Sequence, residues 1–300
     1  MKILITGGTN FVSRYTAEYF AAKGCDVTVL NRGSRPQPAG VTHICCDKLQ
    51  LGDTLKGAHY DAVLDITGYT EEHVKAIVDS GVTFGDYVFI SSSAVYPETN
   101  AQPFSEDQEI GHNSVWGDYG ENKVKAERFL REKVPGAYIL RPPYLYGIYD
   151  YIYREAFPFD CAIQDRSFYI PGDGSMQMQF FNVSDLCRFI EILLEKHPRQ
   201  RVFNVGNKEL VTIREWVELC YNAAGKKPQL ISVDEDVPQR EFFPFHKYEY
   251  ALDVSRQSEL LPDTVSLEKG LKEEYDWYKD NPDSIYFRKP YIEYIENNLA

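Results

Sequence analysis

Apolar residues along the first half of the chain fall in short runs separated by longer amphipathic stretches. Lys2–Thr6, Asp26–Asn31, Thr42–Asp47, Asp61–Thr67, Tyr87–Ser92 and Ala137–Pro142 are rich in β-branched and apolar residues without helical spacing. Such runs suit strands buried on both faces. Arg201–Gly206 reads as a seventh. Between them Asn10–Lys23 closes with Gly24, Glu71–Ser80 follows a Thr70 cap, and Tyr119–Lys133 precedes Pro135, which are helix signals. Ser184 and Thr212 can cap two more helices, ending near Lys196 and Ala224. Strands alternating with helices predict an α/β parallel sheet joined by right-handed crossovers, with helices on both faces.

After Tyr146 the texture changes. Aromatic residues crowd Tyr149 to Tyr169, and a polar, proline-containing segment runs from Ser232 to Pro244. These segments suggest a smaller, mostly C-terminal α/β substrate domain. The expected division is a dinucleotide-binding domain over 1–150, with 175–206 returning to its sheet, and a substrate-binding domain over 151–300.

Composition narrows the function. A net charge of −13 disfavours a nucleic-acid partner, since phosphate-backbone binding rests on clustered Lys and Arg. No run of 18 apolar residues suggests a membrane span, and Met1 leads straight into an apolar run, so a cytoplasmic protein is expected. Cys25, Cys45, Cys46, Cys161, Cys187 and Cys220 show neither metal-ligand spacing nor a disulfide framework. They read as reduced core thiols, and no metal is expected.

The first strand runs directly into Gly7-Gly8-Thr9-Asn10-Phe11-Val12-Ser13 and a helix. Glycine at a strand-to-helix turn lets the backbone approach a pyrophosphate, which the helix N-terminus stabilises. That is a Rossmann-type, doubly wound arrangement for NAD or NADP. A full fingerprint would put glycine at 7, 10 and 13, and here Gly7 is kept. Asn10 tolerates left-handed backbone, and Ser13 is small enough for close helix packing. The alternative is a structural turn that has lost its ligand. At the end of the second strand stand Asn31, Arg32 and Arg35 in place of an acidic residue. Arginine suits a phosphate, which favours NADP slightly over NAD, unless both arginines are solvated loop charges.

Tyr119 and Lys123 lie one helical turn apart. A nearby ammonium favours phenolate and makes tyrosine usable as an acid or base. The spacing alone is weak, because Tyr19/Lys23 and Tyr275/Lys279 share it. What distinguishes Tyr119 is the buried run Tyr87–Tyr96 upstream, which holds Ser91, Ser92 and Ser93. A hydroxyl at a strand's carboxyl end sits where open α/β sheets bind ligands. Ser92 could bond the same substrate oxygen as Tyr119 while Lys123 holds the cofactor ribose.

In this order these pieces resemble the extended short-chain dehydrogenase/reductase superfamily, and specifically its NAD(P)-dependent epimerase/dehydratase family, over nearly the whole chain. Arg141-Pro-Pro-Tyr-Leu-Tyr-Gly147 looks like the family's segment lining the nicotinamide, and Pro171–Gly174, Phe181–Asp185 and Phe203–Gly206 fall where the family has equivalents. The resemblance implies that Asp47 lies near the adenine, that Thr67 and Gly68 pass along the phosphates and ribose, and that Ser91 and Pro142 flank the cofactor. Two departures matter. Family dehydratases carry an Asp-Glu pair directly after the catalytic hydroxyl, where this chain has Ser93 and Ala94. Typical nucleotide-sugar epimerases place a diphosphate-binding Arg in the stretch matching Met176–Phe181, which here offers Met178 and Gln179. These features look more like the atypical branch that includes chloroplast RNA-binding relatives.

The expected activity is hydride transfer at a secondary alcohol of a sugar or nucleotide-sugar-like substrate, giving epimerisation or net oxidoreduction. Arg154, Arg166 and Arg240 are candidate anion partners for that substrate. A homodimer is expected by analogy with relatives. The alternatives are a non-catalytic NAD(P) sensor and an RNA-associated protein.

Overall fold

The computed structural model describes residues 1–234 and 236–300; Glu235, inside the Ser232–Pro244 segment, lies outside the described residues. In chain order come β1 (Lys2–Thr6), α1 (Phe11–Ala22), β2 (Asp26–Asn31), β3 (Thr42–Cys45), β4 (His59–Asp65), α2 (Glu71–Val78), β5 (Thr83–Ile90), α3 (Gly117–Lys133) and β6 (Tyr138–Arg141). Next are β7 (Tyr144–Tyr146), α4 (Ala156–Ile163), β8 (Phe168–Pro171), β9 (Gln177–Met178), β10 (Phe180–Asn182) and α5 (Val183–Lys196). The chain ends with β11 (Val202–Asn204), β12 (Val211–Thr212), α6 (Ile213–Ala223), β13 (Leu230–Val233), α7 (Gln239–Phe242), α8 (Ser255–Leu260), α9 (Leu267–Asp280) and α10 (Tyr291–Asn298).

Contacts divide the chain into two compact units. The first comprises Met1–Pro143, Val183–Gly206 and Leu252–Asp263. Its sheet has seven strands in the order β11-β6-β5-β4-β1-β2-β3, all parallel. Ile3, Leu4 and Ile5 of β1 are fully buried, as a continuous apolar run in a two-sided parallel sheet requires. The chain runs outward through β2 and β3, then returns to place β4 on the other side of β1. The carboxyl ends of β1 and β4 therefore flank a topological switch point, the place where such sheets bind ligands.

All seven expected strands form, but five stop short of their expected carboxyl ends, β3 at Cys45, β4 at Asp65, β5 at Ile90, β6 at Arg141 and β11 at Asn204. β3 ends at Cys45 because the Asp47 carboxylate accepts from Leu49 N at 3.0 Å and caps a 3₁₀ turn over Lys48–Gln50. β5 ends at Ile90 because Ser92 caps a second such turn over Ser93–Val95. Local side-chain bonds of this kind compete with strand pairing. The thiols also differ from expectation. All six are free, but Cys161, Cys187 and Cys220 alone are buried, whereas Cys25 and Cys46 are half-buried and Cys45 is exposed. Cys45 and Cys46 belong to the edge of the sheet, where one flank has no neighbouring strand.

A buried ion pair ties the unit together. Glu127 on α3 and Arg141 on β6 are both 0% exposed. Arg141 donates from Nε to Oε1 at 2.9 Å and from Nη2 to Oε2 at 2.6 Å. Ser91 Oγ donates to the same carboxylate at 2.6 Å. Arg141 Nη1 donates to the Tyr96 hydroxyl at 2.7 Å, and Tyr96 in turn to Asn204 Oδ1 at 2.7 Å. Burial alone would raise the Glu127 carboxyl, but the guanidinium and its other donors hold it below its ordinary value.

The second unit comprises Tyr144–Asn182, Asn207–Ala251 and Thr264–Ala300. Three two-stranded sheets, β10-β7, β12-β9 and β13-β8, border its core. Phe157, Phe159, Phe168, Trp216, Phe243 and Phe245 fill the interior. α6 begins at a full capping box between Thr212 and Glu215. Among the described residues no helix is long and apolar enough to cross a membrane.

Breaking a buried ion pair strands its partner charge. Arg141→Met is expected to cost about 3–5 kcal/mol in urea unfolding. Adding Glu127→Leu is expected to recover part of that loss, and a double variant no better than the single would contradict this account.

Candidate active site

Gly7 turns the chain out of β1 at φ +96°. A Cβ there would lie 2.8 Å from both Ser13 Oγ and Thr67 Cγ2, so glycine is required on steric and conformational grounds together. Ser13 is buried and its hydroxyl donates to Asn10 O at 2.9 Å, as close helix packing demands. Asn10 departs from expectation. It is extended, at φ −131°, and Phe11 takes the positive φ of 33°. The Asn10 side chain does not cap α1, and its buried Oδ1 has no hydrogen-bond partner. The first turn of α1 thus keeps backbone donors for an anion, with Thr9 and Val12 beside them.

Asn31 spends its amide on structure. Nδ2 donates to Gly7 O at 2.7 Å and to Gln37 Oε1 at 2.8 Å, and Oδ1 accepts from Gly33 N at 2.9 Å. It thereby ties the glycine loop to the turn carrying Arg32, which is exposed, and Arg35, which is half-buried. Thr67 N donates to Thr6 Oγ1 at 3.0 Å. This joins the ends of β1 and β4, and Thr6 Oγ1 donates on to the buried Asp65 at 2.6 Å.

On the other side of β4, Lys123 is 2% exposed. Its Nζ donates to Ile90 O at 2.7 Å and Gly68 O at 3.0 Å. Burial pulls this ammonium down to about 7, opposed by Asp65 and reinforced by Lys48. Ser92 Oγ accepts from Ala94 N at 3.2 Å, which leaves its own proton to donate elsewhere. Gly120 brings the start of α3 against this turn, since a Cβ there would lie 2.5 Å from Ala94 O. Tyr119, next to it, is 43% exposed. Ser91 is buried on Glu127, and Pro142 O accepts from Ser93 N at 2.9 Å. Ser92, Tyr119 and Lys123 therefore stand on elements packed together at one edge of one unit.

The substrate-anion candidates fare differently. Arg154 is committed to the Glu155 carboxylate, with both bonds at 3.0 Å, and to Asp150 at 3.1 Å. Asp150, Glu155 and Glu274 converge in the interior of the second unit, where burial pushes the Glu155 carboxyl up to about 7. Arg166 pairs with Glu296 at 2.6 Å. Buried acids claim the first and a surface acid the second, so neither is a free anion ligand. Arg240 keeps a buried Nη1 with no partner.

Sequence reasoning missed Asp65, Glu127, Gly120 and Lys48. A carboxylate at the end of an apolar run, DAVLD, signals Asp65, and Glu127 falls one turn beyond Lys123 on the same helix face. No motif singles out Gly120 or Lys48.

A sequence model of the NAD dependent epimerase/dehydratase family matches residues 3–206. The chain is 25% identical over 306 residues to the chloroplast stem-loop binding protein of 41 kDa b of Arabidopsis thaliana, covering 94% of this chain and 78% of that protein. It is 26% identical over 324 residues to a dTDP-4-dehydro-6-deoxy-D-allose reductase of Streptomyces bikiniensis, covering 92% and 96%. The fold is similar to that of a Bacillus anthracis dTDP-glucose 4,6-dehydratase solved with NAD, with a TM-score of 0.75, 16% identity and coverage of 95% and 98%. It is also similar to a Bacillus cereus UDP-glucuronic acid 4-epimerase solved with UDP-glucuronic acid and NAD, with a TM-score of 0.71, 22% identity and coverage of 93% and 99%.

The depressed Lys123 ammonium makes stability depend on pH. Between about 7 and the ordinary lysine value the unfolded chain binds this proton and the folded chain does not, so stability rises with pH across that window and is flat below it. Relative to Lys123→Met, the wild-type urea midpoint is expected to climb from pH 7 to 9.5. A difference that does not change with pH would show that the ammonium is not desolvated.

Proposed function

Because the chain belongs to the NAD dependent epimerase/dehydratase family, we propose that it is an NAD(P)-dependent epimerase or oxidoreductase acting at a secondary alcohol of a sugar derivative. The observation that carries this reading is the buried Lys123, bonded to the carbonyls of Gly68 and Ile90 one helical turn from Tyr119. A buried ammonium that makes no ion pair among the described residues, at the carboxyl end of a parallel sheet, marks a candidate functional group.

The residues present fit a dinucleotide. Gly7, Thr9, Asn10, Phe11 and Val12 would hold its phosphates at the open start of α1, Thr67 and Gly68 would pass along the phosphates and ribose, and Asp47 would lie near the adenine. Asn31 is neutral and already engaged, so Arg32 and Arg35 supply the charge at the ribose, which supports NADP over NAD. Tyr119, Lys123, Ser91 and Pro142 would border the nicotinamide end. When bound, the cofactor supplies a hydride acceptor and donor.

The chain's own residues supply the rest. Tyr119 takes the proton from the substrate hydroxyl and returns it. Ser92 donates its free proton to the same oxygen, and Lys123, one helical turn from Tyr119, favours the phenolate while it is protonated. Ser93 and Ala94 carry no acid or base, which argues against elimination of water. The acidic surface, with 45 Asp and Glu against 32 Lys and Arg, argues against a role like that named for the stem-loop binding relative.

The test is a panel of nucleotide sugars and free hexoses with NADP⁺ or NAD⁺, following absorbance at the reduced nicotinamide band and product epimers by NMR. Tyr119→Phe is expected to keep cofactor affinity and to lose about 10²–10⁴ in turnover. Undiminished turnover by that variant would overturn the assignment.

A further inference from the structure

Lys48 follows Asp47 in the 3₁₀ turn after β3, at a position that no motif marks. Its Nζ donates to Thr67 O at 2.5 Å and to Thr67 Oγ1 at 2.7 Å. Among the described residues it makes no ion pair. The two carboxylates near it are engaged elsewhere. Asp47 caps Leu49 N, while Asp65 accepts from Thr6 at 2.6 Å and from Tyr87 at 2.8 Å. Burial lowers the Lys48 ammonium from its ordinary value, against the pull of Asp65 and Asp47. A half-buried ammonium with one unspent donor and no counter-ion of its own is incomplete without an anion.

Through Thr67 it neighbours the glycine turn. The Thr67 side chain that receives Lys48 through Oγ1 presents Cγ2 to Gly7, 2.8 Å from where a Cβ would stand. One threonine side chain therefore separates the ammonium from the turn. On the other side of Thr67, Lys123 Nζ bonds Gly68 O and lies 5.4 Å from the Tyr69 ring centre, and the His73 ring lies 6.3 Å from the same ring. In a chain of net charge −13, three nitrogen bases gather around Thr67–Tyr69.

We propose that Lys48 is a ligand of the dinucleotide's diphosphate, supplying by charge what the loop lost when glycine was replaced at positions 10 and 13. The proposal rests on the reading of the Gly7–Ser13 loop as a dinucleotide site. Lysine binds phosphate as a point charge on a flexible stem. Its two bonds to Thr67 fix its position, and one N–H is left over for a ligand.

ADP-ribose and adenosine separate the diphosphate from the nucleoside. Binding of each is measured by calorimetry to the wild type, Lys48→Met, Lys48→Arg and Lys48→Gln. Lys48→Met and Lys48→Gln are expected to weaken ADP-ribose about tenfold to a hundredfold, the worth of one charge-assisted hydrogen bond, while changing adenosine less than about twofold. Lys48→Arg is expected to restore most of the affinity, and Lys48→Gln tests charge apart from the brace to Thr67. Wild-type binding of ADP-ribose that Lys48→Gln matches overturns the proposal and leaves the loop reading standing, as does an equal loss of adenosine and ADP-ribose. A wild type that binds neither overturns the loop reading and the proposal with it.

Discussion

The ion pair between Glu127 and Arg141 is the constraint on which the rest of the candidate site depends. Glu127 stands one turn after Lys123 on α3, accepts from Ser91 just ahead of Ser92, and is gripped by Arg141 just ahead of Pro142. Three segments distant in sequence are thus held to one carboxylate. A fully buried pair adds little net stability over an apolar substitute, whereas losing one partner is costly. Its effect is therefore on geometry: the helix carrying Tyr119 and Lys123 cannot shift against the strand ends without breaking charge-assisted bonds at 2.6 to 2.9 Å. Tyr96 and Asn204 extend the same network to β11.

A second buried carboxylate, Asp65, shapes the electrostatics between β4 and the cleft. It takes protons from Thr6 and Tyr87 and is the counter-charge felt by both Lys48 and Lys123. Asp47 adds to its pull on Lys48 and Glu127 to its pull on Lys123. The second unit differs: there Arg154 is neutralised by Asp150 and Glu155, and aromatic packing fills the core.

Much of the first unit was legible in the sequence because parallel strands buried on both faces leave uninterrupted apolar runs, as KILIT does. The Thr70 and Thr212 caps were legible too, since capping is a local bond between near neighbours. The misplaced features are those decided by competition or distance. Asp47 and Ser92 end their strands by capping turns. The positive φ falls on Phe11 instead of Asn10. Arg154 and Arg166 meet acids that periodicity cannot pair with them. The small sheets of the second unit have strands of two to four residues, too short to show a period. Lys48 looks like any surface lysine until the fold brings Thr67 to it.

The most direct test of the central claim, that the carboxyl edge of the first unit holds a nicotinamide dinucleotide, is calorimetric titration of the wild-type protein with NADPH and with NADH. The account predicts saturable binding at one site per chain, tighter for NADPH. Absence of binding by either would contradict it, because the open start of α1 and the two desolvated lysines would then have no ligand to serve.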